Sequence, residues 1–98
     1  MNEIFSSSEL DQKARRLSVV QPRLTSTLLR QTPATVVVIF IVDENGRVQD
    51  PKVQRTTNPS FDRSALAAIK QWKFEPAKVQ GRSVSSRLRQ SFSFENST

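Results

Sequence analysis

The sequence predicts an α+β domain: a three-stranded antiparallel sheet in the order 2-1-3, with one main helix packed on one face. Three observations carry this. Residues 35–42 form an unbroken β-branched and aromatic run. Phe61, Ala65, Leu66, Ala68, Ile69 and Trp72 recur at helical spacing. Val84, Leu88, Phe92 and Phe94 alternate with Ser85, Arg87, Arg89, Ser91 and Ser93, the period of a strand with one wet face. At 98 residues the chain suits one domain with a single small core.

Residues 1–32 read as an arm. Ser8-Glu9-Leu10-Asp11 has the form of a capping box with Ser8 as N-cap. Leu10, Ala14 and Leu17 follow at i, i+4 and i+7, which predicts a short helix. Leu17-Ser18-Val19-Val20 reads as extended, and Pro22 stops any helix nearby. Leu24, Leu28 and Leu29, between Pro22 and Pro33, allow one or two helical turns.

Residues 33–94 form the domain proper. The run at 35–42 is apolar on both faces, so it predicts a central strand covered, at least in part, on both. Of its two sets, one belongs under the helix. The other calls for cover by the arm or by a partner, because a bare Val37–Ile39–Ile41 patch invites association. Asn45-Gly46 then signals a hairpin, with Gly46 at positive φ. Residues 47–55 return. Pro51 cannot donate to a ladder, so this strand belongs at an edge or carries a bulge. Val48 and Val53 differ in parity, which also asks for a bulge if both face inward. Asn58 as N-cap and Pro59 at N1 open a helix over about 59–73 that stops before Pro76. Gly81 marks a turn, residues 84–94 are the last strand, and residues 95–98 are a polar tail. The crossover between the second and third strands passes over the first and is expected to be right-handed.

Composition narrows the chemistry. With no Cys, His or Tyr, the chain lacks thiol chemistry, the usual neutral-pH general base and most transition-metal donors. No Ser-x-x-Lys phrase occurs, so a serine–lysine hydrolase is not indicated. The expectation is no enzyme, no cofactor and no metal. Asp43, Glu44 and Asp50 gather at the hairpin without the spacing of a calcium loop. The net charge of +6 leaves nucleic acid or an anionic surface open as partners. The basic residues, Arg15-Arg16 among them, are scattered, and no helix-turn-helix phrase appears, so nucleic acid is not favoured. Trp72 and Phe74 are read as core aromatics. No apolar run spans a bilayer and no export signal opens the chain.

In order 2-1-3 the last strand is a sheet edge, long and without proline, and such an edge invites another strand. Its candidate partner-binding residues are Val84, Ser85, Arg87, Leu88, Arg89, Gln90, Ser91 and Phe92.

Three phrases resemble the C-terminal domain of TonB-type energy transducers. They are Val36-x-Val38-x-Phe40-x-Val42-Asp43-x-x-Gly46-x-Val48; Phe61-Asp62-x-x-Ala65-x-x-Ala68-Ile69-x-x-Trp72-x-Phe74-x-Pro76-Ala77; and Gly81-x-x-Val84 leading to Phe92-x-Phe94. The middle phrase is the most specific. The family usually carries Pro-x-Tyr-Pro where this chain has Pro22-Arg23-Leu24-Thr25, and Gly where it has Pro33-Ala34. The resemblance implies a periplasmic domain, tethered to the inner membrane in the full-length protein. It would bind outer-membrane transporters through an extended segment, the TonB box, by strand addition, and transmit inner-membrane-derived force for substrate uptake. Inner-membrane motor proteins would act through an anchor that, with the proline-rich spacer, lies outside this sequence, which reads as a terminal fragment. Two other classes stay open: a basic nucleic-acid or anionic-surface module, and a structural homodimer formed through the last strand.

Overall fold

The computed structural model describes residues 4–5 and 9–95. Its elements run β1 (Ile4–Phe5), β2 (Arg15–Ser18), α1 (Ser26–Leu29), β3 (Ala34–Val42), β4 (Val48–Thr56), a 3-10 turn at Pro59–Phe61, α2 (Asp62–Ile69), β5 (Lys73–Glu75), β6 (Ala77–Val79) and β7 (Arg82–Phe94).

The β-branched run becomes β3, which lies between β4 and β7 and is antiparallel to both. This is the predicted 2-1-3 order. The sheet itself is larger than predicted: it has five strands and is mixed. β1 pairs in parallel with β7 at Ile4↔Ser85 and Phe5↔Ser86. β6 pairs with β7 across a tight turn whose Gln80 and Gly81 have φ of 51° and 80°. A second sheet joins β2 to β5. Strands of two to four residues are too short to show a period, so only docking reveals them.

The bulge that the valine parity asks for is present beside Pro51, on a strand that is also a sheet edge, and a second, unanticipated one follows. The β3–β4 register shifts between Ile39 and Ile41, beside Asp50 (φ 49°) and Pro51, and again between Val37 and Val38. The extra residue lets Val48 and Val53 both pack against the core. That core is built from Val36, Val38, Phe40 and Val42 of β3, Phe61 and the α2 residues Ala65 and Ile69, and Phe92 and Phe94 of β7. Its aromatics touch in tilted and edge-on pairs: Phe61–Phe94 at 4.8 Å, Trp72–Phe92 at 5.6 Å and Phe40–Phe74 at 5.7 Å between centroids.

The helix starts where expected, with the Asn58 side chain accepting from the Ser60 N–H at 3.0 Å, but it is shorter. The first turn is 3-10 and α2 ends at Ile69, so Trp72 lies beyond the helix rather than on its stripe. The chain is drawn away by a stronger alternative. The Phe74 N–H donates to the Gly46 carbonyl at 2.9 Å, and residues 73–75 pair with β2. Gly46 is required twice over. Its φ is 81°, and a Cβ there would stand 1.9 Å from the Phe74 carbonyl oxygen.

The short helix expected from Leu10 to Leu17 is replaced by extended chain; its proposed cap, Ser8, lies outside the described residues. The Lys78 N–H donates to the Gln12 carbonyl at 2.9 Å, and Arg15–Ser18 is a strand. Isolated, so short a helix is marginal, and β5 and β6 offer its backbone regular partners instead. A single turn, α1, does form, capped by the Thr25 hydroxyl accepting from the Leu28 N–H at 3.2 Å. The arm packs Ala14, Val20, Leu24 and Leu28 against the core. It thus covers the α2 side of the sheet; on the opposite side Ile4 of β1 lines a hollow with Ile41 at the hairpin end, while no described arm residue lines the hollow over Ile39.

Candidate partner-binding edge

β7 is thirteen residues long without a proline. One side pairs with β3 in unbroken register from Val42↔Ser86 to Ala34↔Phe94. At the near end of the other side stands β1, opposite Ser85 and Ser86. From Arg87 to Phe94, no strand among the described residues pairs with that outer side.

The eight candidate residues therefore divide. Val84 pairs with Ala77 of β6, and Ser85 with Ile4 of β1. Ser85 is buried, its hydroxyl donating to Glu44 Oε2 at 3.4 Å. Arg87, Arg89 and Ser91 are exposed, Leu88 and Gln90 half-buried, and Phe92 buried in the core. The Gln90 side-chain amide donates to the Ser91 carbonyl at 2.8 Å.

Beside this edge runs a groove of about 330 Å³. Residues 90–95 form one wall, and Arg16, Val19, Gln21, Pro22 and Leu24 of the arm form the other, with Trp72 lining it between them. Trp72 also anchors the arm. Its indole N–H donates to the Val20 carbonyl at 2.9 Å, and the Arg16 guanidinium sits over its ring at 5.9 Å. Leu17 and Val19, 65% and 48% exposed, stand on the arm beside the groove. Sequence reasoning had no access to this second wall. The only hint was that a buried indole N–H needs an acceptor, which does not say where in the chain the acceptor lies.

The remaining motif residues hold this scaffold. Phe40, Phe61, Trp72 and Phe74 are buried, Gly46 and Gly81 take positive φ, and Pro76 separates β5 from β6. Glu75 ties β5 to the arm, accepting from Gln12 at 2.6 Å and from Arg15 at 2.9 Å. The hydrogen bond and charge of Arg15 hold its carboxyl below the usual carboxylate range. In the hairpin, burial pushes the Asp43 carboxyl up, but more is exerted in the other direction. The N–H groups of Arg47 and Asn45, the Gln49 amide and the Arg47 charge together lower it. Among the described residues no three Asp or Glu side chains gather as metal ligands, and no helix is long and apolar enough to cross a membrane.

Comparison with known proteins agrees with this architecture. The family described as Gram-negative bacterial TonB protein, C-terminal, matches residues 28–95. Two curated relatives, each called Protein TonB, come from two strains of Xanthomonas campestris pv. campestris. Each is 36% identical over 55 residues, a match covering 55% of this chain and 25% of the relative. The chain thus matches about a quarter of the length of these relatives. The solution NMR structure of the Pseudomonas aeruginosa TonB CTD shares the fold, with a TM-score of 0.72 and 24% identity over 96% of this chain and 95% of that one.

Proposed function

From the premise that this chain belongs to the Gram-negative bacterial TonB C-terminal family, we propose that the outer edge of β7 takes up an extended segment of an outer-membrane transporter as an added strand. The domain then passes force from the inner membrane to that transporter for substrate uptake. The observation that carries this is the straight, proline-free edge at 87–94 beside a groove walled by the arm. In this reading the domain works in the periplasm, driven by inner-membrane motor proteins through an anchor outside this sequence.

The mechanics follow from main-chain pairing. Each backbone hydrogen bond contributes only about 0.5–1.5 kcal/mol net. Pulled along the strand, several are loaded together, so a complex of modest affinity carries force. The bond from the Gln90 amide to the Ser91 carbonyl marks the odd positions as those whose main-chain groups point away from β3. A partner strand displaces that amide. Its side chains alternate between solvent and the groove over Trp72, Val19 and Pro22.

The test is a proline scan of residues 87–93, read by thermal stability and by binding of a TonB-box peptide, with the chain's single tryptophan as the fluorescent reporter. Arg89→Pro and Ser91→Pro are expected to fold and to lose peptide binding at least tenfold. Leu88→Pro and Gln90→Pro lose β3 ladder bonds and are expected to be destabilised by about 3 kcal/mol. Folded Arg89→Pro and Ser91→Pro proteins that bind as well as wild type would move the site off this edge. The arm around residues 22–29 would then be the better candidate.

A further inference from the structure

We propose that the sheet face opposite α2 docks on the surface of an anionic lipid bilayer. The observation is a charge pattern produced by register. On this face Val37, Ile39 and Ile41 form a ridge along β3. Arg55 and Lys52 of β4 flank Val37 and Ile39 on one side, and Arg89 and Arg87 of β7 flank Ile39 and Ile41 on the other. All four cations are exposed, and none enters an ion pair among the described residues. Val37 is 5% exposed, while Ile39 and Ile41 are half-buried. The carboxylates near this face, Asp43, Glu44 and Asp50, gather at the hairpin end beside Ile41; Asp50 also lines the hollow over Ile39 and Ile41 with Lys52 and Arg87, so the cations are in excess but not alone there.

Shape and chemistry select the occupant. β3 spends its main-chain groups on both neighbours, so the face offers side chains and no ladder to set a peptide's register. The two cation rows lie two strand spacings apart, about 10 Å. Between them is only a shallow hollow of about 160 Å³ over Ile39 and Ile41, too small to seat a chain. A flat, negative surface with an apolar interior meets the cation rows with headgroups and the isoleucine ridge with the acyl boundary. This surface acts through side chains across the sheet, so it is independent of strand addition at the β7 edge.

The test is flotation of the whole chain with vesicles of phosphatidylcholine alone and of phosphatidylcholine mixed with phosphatidylglycerol. Binding is expected only to the mixed vesicles and is lost near 1 M salt, where the screening length falls to about 3 Å. Lys52→Gln/Arg55→Gln is expected to weaken it about 25-fold, since each basic residue near such a surface contributes about fivefold, or 1 kcal/mol. Both positions are exposed, so circular dichroism should show the native fold, and each single variant reads the same trend should the pair not fold. TonB-box peptide binding by the double variant stays at the wild-type level. Arg23→Gln/Lys70→Gln, which removes the same charge away from this face, holds vesicle binding within about twofold. Four results would each overturn the proposal: no binding to mixed vesicles, equal binding to phosphatidylcholine alone, equal loss in the two double variants, or full competition by soluble polyglutamate at matched charge.

Discussion

The two edges of the sheet are protected in opposite ways. On β4 the protection is in the main chain. Pro51 lacks an N–H, Asp50 sits at φ 49°, and two register shifts break the ladder. No strand can run along that edge in regular pairing. On β7 the register with β3 never slips, and beyond β1 the outer side presents, among the described residues, the exposed side chains of Arg87, Arg89, Ser91 and Ser93. Charge deters chance association but leaves N–H and C=O groups usable. The near end of this edge already carries a strand, the chain's own Ile4–Phe5. One edge is closed by geometry, and the other, unpaired from Arg87 to Phe94 among the described residues, carries a charged fringe, as the strand addition proposed above requires.

The largest expected disturbance of this contrast comes from Trp72, which lies in the core and ties the arm beside β7. Trp72→Ala should cost roughly 3–5 kcal/mol and remove the floor of the groove. A thermal midpoint close to wild type would show that arm and core are not coupled through this residue. Next is Gly46→Ala, where positive φ and a clash with the Phe74 carbonyl combine; a loss of roughly 2–4 kcal/mol is expected by denaturant titration. Gly81 has the same φ but open space around its Cβ position, so Gly81→Ala should lose only about 1 kcal/mol. Equal losses at the two turns would remove the steric part of the Gly46 argument.

Pro51→Thr returns a donor to the closed edge. If the bulges are what close it, stability changes by no more than about 0.5 kcal/mol and the protein keeps its wild-type sedimentation coefficient. New self-association of this variant would assign the protection to the proline instead. The smallest effect concerns acid. Asp43 and Glu75 have lowered carboxyl pKa values in the folded state, so the stability they contribute is present above the ordinary carboxylate range. It is lost as pH falls through their folded values. Asp43→Asn should therefore flatten the decline of melting temperature below about pH 4, modestly, because the hairpin is solvated. An unchanged acid profile would mean that the Asp43 hydrogen bonds form equally well in the unfolded chain.

Much of the frame was legible because it rests on local rules that tertiary contacts reinforce. The run at 35–42 has no helical alternative, Asn45-Gly46 fits a hairpin tip, and Asn58-Pro59 fits a helix start. The parity conflict between Val48 and Val53 asks for a bulge once both face inward, as they do. The last strand's period of two survives because one face meets Phe40 and Val36 while the other meets water. The helix end was misread at Trp72 because helical spacing continues past Ile69. Nothing local announces that Phe74 will instead bond to Gly46.

The sequence by itself determined the α+β class, the central position of the β-branched strand and its antiparallel pairing with the second and last strands, because hydrophobic period and turn chemistry act over a few residues and need no distant partner; the edge position expected for the last strand fails at its near end, where β1 pairs with it. Only the tertiary structure decided that the arm is extended rather than helical, that its Val20 carbonyl meets Trp72 to wall a groove, and that β1 and β6 occupy the near end of β7, with no strand among the described residues pairing with the outer side of 87–94. Those pairings join residues up to some eighty positions apart. The strand pairings rest on main-chain groups and the groove on one indole N–H meeting a distant main-chain carbonyl, so the side-chain pattern along the chain does not say which segments meet.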